Sequence, residues 1–130
     1  YLETYIAIEN QRFDNRIQYQ ILVEDTIDKE HTEIPTMLLQ PFVENIFKHA
    51  FDEDYPNPAF KIEFTNLNKN GLQIVISDNG KGNTKTQGTH ISKGIAIAKE
   101  RIQIMQPTNF DPIKIDFSDS GTTVNIRLII

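Results

Sequence analysis

The chain has 130 residues, no cysteine and a formal net charge of −5, a length that suits one hydrophobic core. Its acidic balance and the lack of any long Lys/Arg run argue against broad capture of nucleic acid, and zero cysteine excludes disulfides, Cys-ligated zinc and a thiol nucleophile. No apolar stretch approaches the roughly 20 residues of a membrane-spanning helix, and the start has no signal-peptide pattern. A sequence that begins at Tyr1 on a helix-like pattern reads as part of a longer protein.

Residues from Tyr1 to about Asp14 carry Leu2, Tyr5, Ile6, Ile8 and Phe13 at spacings closer to helical than alternating, which predicts the end of a bundled helix. From Arg16 the period becomes two, with Ile17, Tyr19, Ile21 and Val23 predicting a first strand. Asp25 to Glu33 reads as polar linker. Pro35 and Thr36 then open a helical segment whose Leu39, Val43, Ile46, Phe47 and Ala50 share one face, with Pro41 an early irregularity. Phe60, Ile62 and Phe64, then Leu72, Ile74 and Ile76, alternate on either side of the turn-rich Asn66–Gly71 and predict an antiparallel hairpin.

Asp78-Asn79-Gly80-Lys81-Gly82 closes that run, and the Thr/Asn/Gly/Gln-rich stretch to about His90 predicts a mobile loop. Ile91, Ile95, Ala98, Ile102 and Met105 recur at helical spacing and must stop before Pro107. Ile113, Ile115 and Phe117, then Val124, Ile126 and Leu128, form a last hairpin around Asp119-Ser120-Gly121. The order helix, strand, helix, two strands, loop, helix, two strands favours an α+β fold, a two-layer sandwich in which helices cover one face of a mixed, mainly antiparallel sheet.

Two groups of residues carry chemistry. On the helix after Pro35, Glu44 and Lys48, like Asn45 and His49, are four apart, so an acid, an amide, an ammonium and an imidazole occupy adjoining strips. By itself this is equally a solvated face with an ordinary Glu–Lys pair. At the strand end, Asp78 can accept from an exocyclic amine while Gly80 and Gly82 admit a ligand to the backbone; Asn79-Gly80 also suits a hairpin turn. Gly94 opens the next helix, and a helix start is a ready phosphate site. His31 and His90 lack metal-ligand spacing and read as surface residues. Tyr5, Tyr19 and Phe60 read as core or interface aromatics.

In this order the residues resemble the nucleotide-binding fold shared by histidine kinases, chaperone ATPases, type II topoisomerases and mismatch-repair ATPases, the Bergerat or GHKL fold. Leu39-Gln40-Pro41-Phe42-Val43-Glu44-Asn45-Ile46-Phe47-Lys48-His49 is similar to the N box of LytS-type sensor histidine kinases, Asp78-Asn79-Gly80-Lys81-Gly82 to the first glycine box, and Gly121-Thr122-Thr123-Val124 to the closing strand motif. Tyr1-Leu2-Glu3, Arg12-Phe13 and Ile34-Pro35 fit the same family.

The resemblance implies ATP and Mg2+ as cofactors. Asn45 would hold the metal, Lys48 and His49 would sit beside the phosphates, and Glu44 would polarise the attacking group. Asp78 would accept from the adenine amino group with Thr122 in support, Gly80, Gly82 and Gly94 would shape the nucleotide site, and about Asn83 to Lys93 would form the ATP lid. It implies that residues 1–14 end a helix from a preceding dimerisation and phosphoacceptor region and that 15–130 are the catalytic domain. That domain would transfer the γ-phosphate to a histidine upstream of residue 1.

The implied partners are the protein's own acceptor domain, a second copy in a homodimer and a response regulator, with no nucleic acid. The implied location is a cytoplasmic domain of a membrane-anchored protein. The second glycine box departs from the pattern: aligning Lys99-Glu100-Arg101-Ile102 with the family's R-E-R-L puts Ser92 and Ile97 where Gly and Asn are usual, and Gly94 alone matches. A nucleotide-sensing or scaffolding module without transfer activity is the alternative, and a chaperone-type hydrolase of the same fold a third.

Overall fold

The computed structural model describes residues 2–27, 38–47, 51, 55–67, 71–80, 92–105, 112–118 and 121–129. The elements are α1 (Leu2–Gln11), β1 (Gln18–Val23), α2 (Gln40–Asn45), β2 (Ala59–Asn66), β3 (Gly71–Asp78), α3 (Ser92–Met105), β4 (Ile113–Ser118) and β5 (Gly121–Ile129). They follow the order that hydrophobic periodicity predicts. The strands form one sheet in the order β1-β2-β3-β5-β4. β1 runs parallel to β2, while the β2–β3, β3–β5 and β4–β5 pairs are antiparallel. The parallel pair needs a crossover connection, and α2 lies on it.

Side-chain alternation assigns the two faces. Ile62, Leu72, Ile74, Ile76, Val124, Ile126 and Leu128 are buried on one face, where they join Ile6 of α1, Phe42 and Val43 of α2, and Ala98 and Ile102 of α3 in a single core. The intervening residues, such as Lys61, Glu63, Gln73, Ser77 and Asn125, are only partly buried, and Lys61 pairs with Glu63 at 3.1 Å. Helices therefore cover one face of a mainly antiparallel sheet, as predicted.

The start of the second helix differs from expectation. The second helix begins at Gln40, because Leu38 and Leu39 are bends and Pro41 occupies the first turn, where its missing N–H costs nothing. Its apolar face is as predicted, with Leu39, Val43, Ile46 and Phe47 all buried; Pro35, Thr36 and Ala50 lie outside the described residues. β1 is half exposed as an edge strand, with Tyr19 and Leu22 at 36% and 45%. Tyr19 stacks on Phe60 at 5.6 Å, and Phe47 meets Phe60 edge-on at 5.7 Å.

The passage from α1 to β1 is fixed by Asn10. Its buried amide clasps the main chain of Ile17, Nδ2 donating to the carbonyl at 2.9 Å and Oδ1 accepting from the N–H at 3.2 Å. Asp14 and Asn15 turn the chain with positive φ of 56° and 58°, a conformation that Asp and Asn tolerate better than most residues.

Candidate functional site

Asp78 continues the inward phase of Leu72, Ile74 and Ile76, so its carboxylate lies at the end of the sheet's buried face. Its register partners are Phe60 on β2 and Thr122 on β5, neither of them charged. Burial pushes the Asp78 carboxyl above its ordinary value, and the backbone N–H groups of Gly80 and Thr122 draw it partly back. The Gly80 N–H donates to Oδ1 at 2.9 Å. The support expected from Thr122 thus comes through its main chain. The arrangement is a partly desolvated acceptor held at fixed orientation, the chemistry needed to take a hydrogen bond from an aromatic amine.

Both edges of β3 are occupied, by β2 and β5, which sets aside the reading of Asn79-Gly80 as a hairpin turn. Asn79 has a different role. Its Oδ1 accepts from the Ala59 N–H and its Nδ2 donates to the Asn57 carbonyl, both at 2.9 Å, while its own N–H donates to the Ala59 carbonyl at 3.1 Å. Tyr55 donates its hydroxyl to the Asn79 carbonyl at 2.6 Å. These contacts stitch the segment before β2 to the end of β3. The sequence gives no local sign of Tyr55, whose hydroxyl reaches across 24 residues.

Gly121 opens β5 with φ 142°, and a Cβ there would stand 1.9 Å from the Asp78 carbonyl oxygen. Only glycine lets β5 start this close to the Asp78 strand.

Glu44 and Asn45 end α2, both half-buried, above the core formed by Phe42 and Val43. Gly80 is buried, and Gly94 is the third residue of α3. Ser92 and Lys93, the latter the expected end of the lid, belong to α3. Ile97 is 51% exposed on α3. Lys48, His49, Gly82, residues 83–91 of the expected lid, His31 and His90 lie outside the described residues. Asp78, Gly80 and Thr122 are therefore brought together by hydrogen bonds, and Glu44 and Asn45 stand side by side on a separate element.

No model of a protein family matches the chain. An uncharacterised sensor-like histidine kinase of Staphylococcus epidermidis is 36% identical over 95 residues, 73% of this chain and 18% of that protein. The sensor protein kinase HptS of Staphylococcus aureus is 30% identical over the same length, 17% of its own. The chain is homologous to sensor histidine kinases. It spans less than a fifth of the length of these relatives.

Among solved structures, the histidine kinase domain of the Erythrobacter litoralis EL346 blue-light activated kinase superposes with a TM-score of 0.70 at 18% identity, over 98% of this chain and 62% of that one. The catalytic domain of the histidine kinase ThkA gives 0.59 at 14% identity, over 98% and 91%. This sensor-kinase homologue thus has the fold of histidine kinase catalytic domains, and Asp78, Gly80 and Thr122 meet at the end of its β3. Among the described residues no helix is long and apolar enough to cross a membrane.

Proposed function

We propose that the chain binds ATP with Mg2+ and transfers the γ-phosphate to a histidine on a separate helical domain of the same protein, from which it passes to a response regulator. The observation that carries the reading is the Asp78 carboxylate, partly desolvated at the end of the buried sheet face and oriented by two main-chain N–H groups. An adenine amino group can donate to the same carboxylate beside these two N–H groups, and loss of a hydrogen bond to a charged group costs about 1.5–3 kcal/mol.

Asn45 offers an amide oxygen and Glu44 a carboxylate on the half-buried end of α2, and both are hard ligands of the kind Mg2+ prefers. In this reading Asn45 holds the metal, which when bound neutralises charge on the phosphate oxygens. Glu44 polarises the attacking imidazole, Lys48 and His49 attend the phosphates, and Gly80, Gly82 and Gly94 let backbone approach the nucleotide. In this reading the segment 1–14, whose helix α1 ends at Gln11 and packs Ile6 into the common core, is the end of a helix that comes from the acceptor domain, and 15–130 form the catalytic unit of a membrane-anchored homodimer with its kinase region in the cytoplasm.

The test is calorimetric titration of the 130-residue chain with ATP and Mg2+, beside the Asp78→Asn variant. The parent is expected to bind at sub-millimolar ATP and the variant about one to two decades more weakly. No heat from the parent at millimolar ATP removes the nucleotide-binding reading.

A further inference from the structure

We propose that Tyr55 is a positioning residue for the nucleobase acceptor, acting through the peptide that joins Asn79 to Gly80. The proposal rests on the ATP-binding reading of Asp78. One planar peptide unit carries both contacts: its carbonyl oxygen accepts from the Tyr55 hydroxyl at 2.6 Å, and its N–H donates to Asp78 Oδ1 at 2.9 Å. A hydroxyl held on the carbonyl fixes the plane of the unit and hence the direction of the N–H. It also polarises the amide, so each bond in the chain strengthens the next.

Tyr55 is itself fixed at two further points. Its ring packs on Phe51 with centroids 5.4 Å apart, and its carbonyl accepts from Arg16 Nη2 at 2.6 Å. Two residues on, the Asn57 carbonyl is held by Asn79 Nδ2, with φ 51° at Asn57. The segment before β2 therefore has one geometry relative to β3, and the hydroxyl meets the carbonyl without further rearrangement. Loss of the hydroxyl frees the peptide plane, weakens the Gly80 donor and leaves the Asp78 carboxylate less well stabilised.

Tyr55→Phe removes the hydroxyl and keeps the ring on Phe51. Three measurements on the 130-residue chain test the idea: the pH titration of the Asp78 carboxyl by NMR without nucleotide, the Gly80 amide proton shift, and ATP affinity with Mg2+. Among the described residues no charged side chain contributes to the Asp78 shift, which comes from burial and from the Gly80 and Thr122 N–H groups.

The expected result is a higher Asp78 midpoint, an upfield Gly80 amide proton and ATP binding weakened about two- to tenfold. The affinity loss should vanish when Tyr55→Phe is made in an Asp78→Asn background, with thermal melts confirming folding. An unchanged Asp78 midpoint overturns the proposal, as does an equal affinity loss in both backgrounds. If the parent binds no ATP the functional reading falls, and the nucleotide-free titration alone then decides the role of Tyr55.

Discussion

Burial disfavours the ionised form of Asp78, the Gly80 and Thr122 N–H groups favour it, and burial is the larger effect. A carboxyl whose value is raised on folding stabilises the fold fully below its unfolded value, and that contribution is lost as pH rises through the folded one. At neutral pH the ionised side chain therefore costs stability, while the same charge is what an adenine amino group needs. Asp78→Asn is expected to melt at or above the parent temperature at pH 7, with the difference shrinking as pH falls through the raised value. ATP affinity of the parent should decline on acidification at a higher pH than an ordinary carboxylate would dictate, and the variant should lack that step. Melts and titrations across pH 4–7 check both signs. Gly121→Ala tests the same corner by sterics. A Cβ 1.9 Å from the Asp78 carbonyl oxygen forces β5 away from β3, for a loss of at least about 2 kcal/mol in denaturant unfolding together with weakened ATP binding.

Among the elements, α1 belongs to the same packing unit as the sheet: Ile6 is fully buried in the common core, and Phe13 meets Phe47 beyond α2 at 5.9 Å. Asn10 sets where the helix hands over to β1. Asn10→Ala leaves the Ile17 N–H and carbonyl without the Asn10 amide in a buried place, and each unmet group costs about 1–3 kcal/mol, so a loss of about 2–6 kcal/mol is expected by urea unfolding. Asn10→Asp should be damaging too, because it keeps the acceptor and removes the donor to Ile17.

Element type and order were legible because each strand alternates and α2 and α3 carry apolar residues at helical spacing; α1 was legible only as helical spacing, since its apolar residues spread over more than one face and Ile8 is exposed. The parallel pairing of β1 was not legible, since alternation carries no strand direction. The start of α2 was misjudged because Pro41 is tolerated in a first turn and poorly within a helix, so it marked the beginning of the helix and not an irregularity in it. Asp78, Gly80 and Thr122, which hydrogen bonds join at the end of β3, could be singled out from their motifs. Asn79 resembled a turn residue, and Tyr55 depends on a contact that only the folded chain creates.

For the molecule as a whole, the question is whether nucleotide binding is coupled to transfer. The chain holds three histidines, His31, His49 and His90, and the proposed acceptor is none of them but lies on another helical domain. Transfer requires that a nucleophile be held in line with the γ-phosphate, and most of the acceleration comes from that positioning. The 130-residue chain with ATP and Mg2+ is therefore expected to form no stable phosphohistidine by itself. It should label an acceptor helical domain supplied in trans from its own full-length protein.

The second glycine box bears on the rate. Ile97 is exposed on α3, and in the proposed reading Ser92 stands at a helix start where close backbone approach to phosphate would favour glycine. Ser92→Gly combined with Ile97→Asn should raise labelling in trans and raise affinity for a non-hydrolysable ATP analogue more than for ADP. Radiolabel transfer and paired titrations on parent and double variant decide between the two readings. Labelling in trans by the parent establishes a kinase, whereas nucleotide binding without labelling by the parent identifies a nucleotide-sensing module, and labelling by the double variant alone places the defect at Ser92 and Ile97. Equal affinity gains for ATP analogue and ADP would show that these two positions do not govern γ-phosphate binding.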